Sequence, residues 1–295
     1  MRKSGLIVAA WLATVGVAAS APTAPLVKRV DQVVLDPAQF DAAFGGISGI
    51  DYDRRAHHWV LLSDDRSDHA PARFYSASVE RRQGRWMIRG HRGTPLRDRD
   101  GAAFPTAGSG QEAVDPEAVR VAPDGNTLIW SSEGDVRDGY GPAVRRMDRR
   151  GRAIETLILP ANLRFDPTGK HGIRDNGTLE GMAFTADNAL WLAMESPLIE
   201  DGVPAGSGRS ALLRFTRLQR GQPARQFAYR LDAMPPATDG AEAAFGVTEI
   251  LALNDHRILV IERSSVRASD GRFRFHCRLY LADFGEAGDV AAIAA

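Results

Sequence analysis

Apolar and polar residues alternate, or apolar residues run together in short stretches, over nearly all of the chain beyond Pro25. These stretches are bounded by Asp-Gly, Asn-Gly and Gly-Gly pairs, which favour tight turns. Apolar residues at helical spacing are nearly absent. The pattern therefore predicts an all-β protein.

One β-hairpin recurs within this pattern. Each copy has an apolar strand, a polar turn and a second apolar strand, and the copies occupy residues 48–65, 117–133, 180–195 and 249–262. Their first residues are 69, 63 and 69 positions apart. Such regular repetition in an all-β chain favours a β-propeller, for which we expect six blades, with five or seven as alternatives. A β-sandwich would also contain many short strands, but it gives no reason for one hairpin to recur.

Acidic residues mark both ends of the recurring hairpin. They open the later copies as Glu117, Glu180 and Glu249, and they close the four copies as Asp64 or Asp65, Glu133, Glu195 and Glu262. The opening and closing acids are 13 to 16 residues apart. Because the two ends of an antiparallel hairpin lie side by side, these carboxylates are predicted to gather around one mouth of the propeller channel.

Crowded carboxylates raise one another's pKa values and destabilise a fold unless something positive compensates them. The sequence therefore predicts a site for a divalent cation, calcium before others, held by Asp64, Asp65, Glu117, Glu133, Glu249 and Glu262. Arg66 and Arg263 each follow a closing acid and suit the binding of an anion. The alternative is that each acid is an ordinary solvated residue at a strand end.

The first 21 residues have the layout of a secretory signal peptide. Arg2 and Lys3 precede a short apolar run, and Ala19-Ser20-Ala21 forms a small-residue cleavage site. A membrane anchor is the alternative, but the apolar run is shorter than the ~20 residues that span a bilayer. We expect cleavage near Ala21, export to the periplasm or beyond, no membrane attachment afterwards, and one domain over residues 22–295.

The charge balance narrows the classes of partner. The chain has 37 Lys and Arg residues against 37 Asp and Glu residues, so it lacks the excess positive charge that nucleic-acid binding needs. Its 44% hydrophobic content is that of a globular chain, and its single cysteine cannot form an internal disulfide. We expect an anionic small molecule as the ligand, and the sequence leaves the oligomeric state open.

Several motifs in a fixed order resemble the phytase-like family (esterase-like activity of phytase), a set of exported bacterial β-propeller proteins. The motifs are GGISGIDYD with LLSDDR, DPEAVRVAPDG with SSEG, GIRDNGTLEGMAFTADNALWLAMESPLIEDG, and GVTEILAL with LVIERS. The resemblance runs from about Val33 to Asp289. Members of the family usually continue with a further unit, so the resemblance implies that this chain is truncated and lacks its last blade.

The resemblance implies hydrolysis of phosphate esters. Glu180 and Glu195 lie in the most characteristic motif and are the candidates for acid–base catalysis. The arginines predicted to hold the anionic substrate are Arg66, Arg174, Arg209 and Arg263. Two alternatives stay open: a propeller lactonase or esterase, for which Asn176 and Asn254 would be candidate cation ligands away from the matching positions, and a binding protein without catalysis.

Overall fold

A computed structural model describes residues 31–233, 243–267 and 270–293. In these residues sixteen strands form four antiparallel sheets, which we call blades one to four. Three single-turn 3-10 helices (Pro37–Gln39, Val136–Asp138 and Ala161–Leu163) lie in the connections. The four blades belong to one unit, which begins at Leu35.

Each blade is a meander in which consecutive strands are neighbours. Blade one contains β1 (Ile47–Asp53), β2 (His58–Ser63), β3 (Arg73–Arg82) and β4 (Arg85–Gly90), with the short β5 (Thr94–Pro95) paired to β3. Blade two contains β6 (Pro116–Val121), β7 (Leu128–Ser132), β8 (Ala143–Met147) and β9 (Ala153–Thr156). Blade three contains β10 (Leu179–Phe184), β11 (Leu190–Met194), β12 (Ala211–Leu218) and β13 (Arg225–Leu231). Blade four contains β14 (Ala243–Ala252), β15 (Arg257–Arg267) and β16 (Phe273–Asp283).

The blades pack face to face through the apolar residues of their strands. Successive side chains of a strand point to opposite faces of its sheet. In β7, Trp130 therefore belongs to the core shared with blade one, whereas Ile129 belongs to the core shared with blade three. Trp191 and Val260 belong to the core between blades three and four. Apolar runs rather than strict alternation are expected for strands that are covered on both faces.

The first strands of the four blades converge on a common axis. Strand β1 lies beside β6, β6 beside β10, and β10 beside β14. Arg120 of β6 reaches across this axis, donating hydrogen bonds to the carbonyl oxygen of Ile50 in β1 at 3.2 Å and to that of Ile250 in β14 at 3.3 Å. The sheets are therefore arranged radially, with their first strands innermost.

The two outermost blades differ in how their free faces are covered. Phe40 and Phe44, which precede β1, pack with Tyr75 on the face of blade one that points away from blade two. On the face of blade four that points away from blade three, Leu279 and Phe275 are 45% and 63% exposed. Blade four also has three strands in the described residues where the other blades have at least four.

The all-β, propeller-like arrangement predicted from the hydrophobic pattern is confirmed. Four blades are present in the described residues, and the expected number of six stays a prediction. The predicted signal peptide, residues 1–21, lies outside the described residues. None of the helices in the described part of the chain is long and apolar enough to cross a membrane.

Candidate metal and active site

A β-bulge in the first hairpin of every blade positions the side chains of the candidate site. The pairing register shifts after Ile47, Pro116, Leu179 and Val247, which are the residues paired with Ser63, Ser132, Met194 and Glu262. A bulge leaves its extra residue outside the ladder and re-aims the side chain. The residue that directly follows the start of each shift is, in blades one to four respectively, Ser48, Glu117, Glu180 and Thr248.

The first position of the site in each blade is the residue at the bulge. The second position lies in the neighbouring strand, directly after the residue that pairs with the start of the bulge. In blades one to four the residue at this second position is Asp64, Glu133, Glu195 and Arg263, respectively. All eight residues at the two positions line one cavity of about 640 Å³, which we call the mouth. The four blades thus deliver equivalent positions to one place, and the residue types at those positions decide its charge.

Two sets of three carboxylates lie close enough to share a cation. Asp115, Glu117 and Glu133 form one set, and Glu133, Glu180 and Glu195 form the other. Within each set the candidate ligand oxygens all lie within 4.8 Å of one another. Glu133 belongs to both sets, so the two candidate sites share one carboxylate.

Burial and mutual repulsion make these groups reluctant to ionise. Burial, opposed by hydrogen bonds from the backbone of Thr178 and Gly177, raises the pKa of Glu133 to about 7. Burial also raises the pKa of Asp115 to about 7, against the effect of the nearby Arg66. Burial and neighbouring carboxylates raise the pKa of Glu117 and of Glu180 well above the usual range.

Few positive groups of the protein compensate this charge. The Glu133 carboxylate accepts hydrogen bonds from the backbone N–H groups of Gly177 (3.0 Å) and Thr178. Glu195 lies 3.9 Å from the Arg263 guanidinium. Among the described residues, no hydrogen bond or ion pair is formed by the carboxylates of Glu117 and Glu180.

The donor set fits a hard divalent cation. All its ligands are carboxylate oxygens, which Ca²⁺ prefers. Two of the carboxylates, those of Glu117 and Glu180, have no hydrogen-bond or ion-pair partner in the described protein. A bound cation would reverse the repulsion that raises the pKa values of these groups. The buried acidic clusters of the mouth therefore have the composition of a metal site.

Blade one contributes less to the mouth than its acid pair suggested. Asp64 lines the mouth, whereas Asp65 turns away and pairs with the guanidinium of Arg73 at 2.7 Å. Asp65 also accepts hydrogen bonds from the backbone N–H groups that follow it in its loop. Arg66 lies 3.6 Å from Asp115 and 3.0 Å from Asp135, so it is held by two carboxylates at the edge of the first ligand set.

Glu262 and Glu249 lie apart from the two ligand sets. Glu262 is buried on the blade-three side of β15, where it accepts a 2.8 Å hydrogen bond from the Tyr229 hydroxyl. Glu249 lines the mouth but pairs at 2.5 Å with Arg120, whose side chain is 8% exposed. Glu249 and Glu262 are each one residue away from the positions equivalent to the ligands of blades two and three, which in blade four are Thr248 and Arg263. A shift of one residue along a strand turns the side chain to the opposite face of the sheet.

Two of the predicted anion-binding arginines are engaged in loops outside the mouth. Arg174 donates a 3.0 Å hydrogen bond to the carbonyl oxygen of Pro197. Arg209 donates bonds of 3.2 and 3.0 Å to the carbonyl oxygen of Pro204, a residue that does line the mouth. Of the four predicted arginines, Arg263 is the one in the lining of the mouth.

Sequence reasoning placed neither Asp115 nor Asn176 in the main predicted site. Asp115 was outside the aligned repeat, although its spacing of two from Glu117 places both side chains on the same side of an extended chain. Asn176 was judged to lie away from the matching positions, yet it lines the mouth and also the adjoining cavity beside Asp65. Its backbone φ of 49°, in the left-handed region that asparagine tolerates, shows that it sits in a tight turn of the loop before β10.

The comparisons with known proteins identify the family. Residues 42–295 match the family model Phytase-like, described as esterase-like activity of phytase. The chain belongs to the phytase-like family. The resemblance inferred from the motifs is thereby confirmed, and no curated protein matches the chain.

Solved structures of low sequence identity align with much of the chain. One is the extracellular domain of the putative hybrid two component system BT4673 from B. thetaiotaomicron, with 8% identity and a TM-score of 0.31 over 78% of this chain and 27% of that one. Another is a putative 6-phosphogluconolactonase from Bacteroides uniformis ATCC 8492, with 10% identity and a TM-score of 0.28 over 82% of this chain and 88% of that one. The chain thus spans about a quarter of the length of the first protein.

Proposed function

We propose that this phytase-like propeller is a hydrolase that cleaves phosphate esters at its acidic mouth with the help of a divalent cation, calcium before others. The observation that carries the proposal is the pair of three-carboxylate sets that share Glu133. Membership of a family described by an esterase-like activity supports hydrolysis as the reaction class.

The residues that would hold cations are those of the two sets. Four of them line the mouth together with Asp64, and Asp115 lines the adjoining cavity. When bound there, a divalent cation neutralises phosphate charge and polarises the ester for attack. The buried carboxylates and the backbone N–H groups of Gly177 and Thr178 would fix the ligand positions before the substrate arrives.

The protein's own groups supply proton transfer and substrate binding. When the cation occupies the set of Asp115, Glu117 and Glu133, Glu180 is not one of its ligands and is proposed to take a proton from the attacking water, because burial and neighbouring carboxylates raise its pKa and make it a stronger base. Glu195, whose pKa burial raises, would start the step protonated, give its proton to the leaving oxygen, and regain a proton from Glu180 or solvent after the product leaves. Arg263, which lies beside Glu195, is proposed to bind the anionic part of the substrate. Arg66, which lies beside Asp115 of the first ligand set, is a second candidate for this role.

The direct test is hydrolysis of 4-nitrophenyl phosphate and inositol hexakisphosphate by protein that has been stripped with EDTA and reloaded with calcium, magnesium or manganese. We expect turnover that needs the cation and that falls by about a hundredfold or more in Glu133→Gln. The matched control is Glu155→Gln, which changes an exposed glutamate of β9 outside the mouth. Absence of turnover of both esters with every cation would overturn the proposal.

Arg263→Gln tests the substrate-binding part of the proposal separately. If Arg263 binds the substrate anion in both ground and transition states, KM rises by roughly tenfold while kcat changes little. An unchanged KM for a phosphate ester would remove Arg263 from the proposal without affecting the cation site.

Asn176 favours a second candidate function, a cation-dependent lactonase or carboxylic esterase. An amide oxygen in the lining of the mouth adds a neutral ligand of the kind that such a cation accepts. A panel of neutral lactones distinguishes the two functions, because the substrate then lacks the charge that Arg263 would bind. Binding of cation and anion without turnover of any ester would instead indicate a binding propeller.

We further propose that the protein is exported, which the layout of residues 1–21 supports. Expression in a bacterial host with a periplasm tests this location. Export predicts protein in the periplasmic or culture fraction with an N-terminus near Pro22 by mass spectrometry, and intact Met1 in the cytoplasmic fraction would contradict it.

A further inference from the structure

A second cavity, of about 470 Å³, lies beside β8 and β9 of blade two, under the loop that joins blades one and two. It shares no lining residue with the mouth. Its volume lies in the range of sites that hold small organic ligands. Three arginines, three acids and two phenylalanines contribute to its lining: Arg99, Arg145, Arg164, Asp98, Asp100, Glu112, Phe104 and Phe165.

Arg145 of β8 is the buried charged group of this cavity. It is 6% exposed, and its guanidinium carbon lies 5.4 Å from the ring centres of both Phe104 and Trp130. Contact with two aromatic rings holds the flat guanidinium in one orientation through cation–π attraction. The group is therefore fixed before any ligand arrives.

The hydrogen bonds of Arg145 are incomplete within the described protein. Its Nη2 pairs with the carboxylate of Glu112, whose side chain is 48% exposed. Its Nη1 is buried without a hydrogen-bond partner. A buried donor without a partner is rare enough in native proteins to require an explanation.

We propose that this cavity binds a small organic carboxylate, which replaces the carboxylate of Glu112 on Arg145. The arginine fork matches the planar geometry of a carboxylate and can donate two parallel hydrogen bonds to it. Glu112 is half-exposed, so water can solvate its carboxylate when it leaves Arg145. The site lies outside the mouth and is independent of the proposed hydrolysis.

The charges of the lining favour a singly charged carboxylate over a phosphate. Exchange of one carboxylate for another leaves the charge beside Arg145 unchanged. The three arginines and three acids of the lining balance, so a phosphate dianion in place of the Glu112 carboxylate would leave an excess negative charge. Phe104 and Phe165 offer apolar contact, so we expect the carboxylate to be attached to a flat or apolar body.

Ligand-observed NMR with benzoate, its neutral analogue benzamide and inorganic phosphate tests the proposal on the whole chain. Benzoate is expected to bind, and Glu112→Gln is expected to tighten this binding by roughly tenfold, since the variant removes a competing charged hydrogen bond. Arg145→Met should abolish it. Glu155→Gln, an exposed glutamate on β9 outside the cavity, is the matched control and should leave benzoate binding unchanged.

Three results would overturn the proposal: benzoate binding that is not tighter in Glu112→Gln, benzamide binding as strong as that of benzoate, or phosphate binding stronger than that of benzoate. If Arg145→Met fails to fold, the Glu112→Gln comparison decides alone, because Glu112 is half-exposed and a glutamine there keeps an oxygen that can accept a hydrogen bond from Arg145.

Discussion

Blades two and three place a carboxylate at both positions that face the mouth, whereas blade four places Thr248 and Arg263 there. The first hairpin has the same backbone pattern in the three blades. Its first strand carries one bulge, and in its second strand the residue that follows the partner of the bulge lines the mouth. What differs is the charge that each blade brings to the common cavity. The mouth therefore has an acidic side in blades two and three and, in blade four, a side formed by a threonine and an arginine.

The same comparison separates glutamates that look alike in sequence. Glu180 of blade three has no partner in the described residues, and burial with neighbouring carboxylates raises its pKa. Glu249 of blade four opens the aligned repeat in the same way but is neutralised by Arg120 across the axis. We infer that Glu180 costs the folded state stability without a cation. Burial also raises the pKa of Glu249, against the effect of Arg120, but the Glu249 carboxylate is the partner that the buried Arg120 guanidinium requires.

The largest expected effect concerns these two residues. Glu249→Ala leaves Arg120 without its partner in a buried position and is expected to lower the free energy of unfolding by about 3 kcal/mol. Glu180→Gln removes a repelled charge and is expected to raise it by about 1 kcal/mol in EDTA at pH 8. Urea unfolding of both variants beside the unchanged protein measures the difference. A change of the same sign in both would contradict the distinction between the blades.

The second prediction compares the two acids that close the repeats of blades two and four. Glu133→Gln removes the carboxylate that both ligand sets share and should weaken calcium binding by about a hundredfold, as loss of two charged contacts would. Glu262→Gln changes a carboxylate on the opposite face of β15 and should leave calcium affinity unchanged. Titration calorimetry on EDTA-treated protein measures both affinities. Equal losses would place Glu262 in the cation site, as the repeat alignment alone suggested.

The third prediction is a dependence of stability on pH in the absence of cations. The pKa of Glu133 is raised from 4.5 to about 7, so the folded state binds this proton more tightly than the unfolded state does. Stability is therefore greatest at low pH in this window and falls as pH rises through about 7. We expect Tm in EDTA to fall by about 5 °C between pH 5.5 and pH 8.

Calcium should remove that slope, because it replaces the protons on the same carboxylates. Differential scanning calorimetry with EDTA and with calcium at both pH values measures the effect. A Tm in EDTA that rises with pH over this range would contradict the assignment of the raised pKa values to the mouth.

The fold and much of the acidic site could be predicted from the sequence because both follow from a repeated hairpin. Apolar strands recur at near-constant spacing, and this spacing predicts the radial sheets. The four glutamates at equivalent ends of two copies of the hairpin are Glu117, Glu133, Glu180 and Glu195. In blade four the aligned acids are 13 residues apart, whereas the closing and opening acids of blades two and three are 16 and 15 apart. Thr248 and Arg263 are 15 apart, so the spacing already indicated the register that the structure has.

The rest depends on contacts between residues far apart in the chain. Nothing local indicates that Arg120 of blade two meets Glu249 of blade four, or that the loop before β10 brings Asn176 to the mouth. Asp65 likewise follows Asp64 in sequence, but its loop turns it toward Arg73. Side-chain direction at a turn is set by hydrogen bonds that strand periodicity does not encode.

We propose that the carboxylates of blades two and three converge on a cation at the mouth. Crystals grown with manganese test it through an anomalous difference map. We expect a peak in contact with Glu133 and with at least two of Asp115, Glu117, Glu180 and Glu195. A fully loaded crystal with no peak at the mouth, or with its peak at Glu262, would show that these carboxylates do not share a cation.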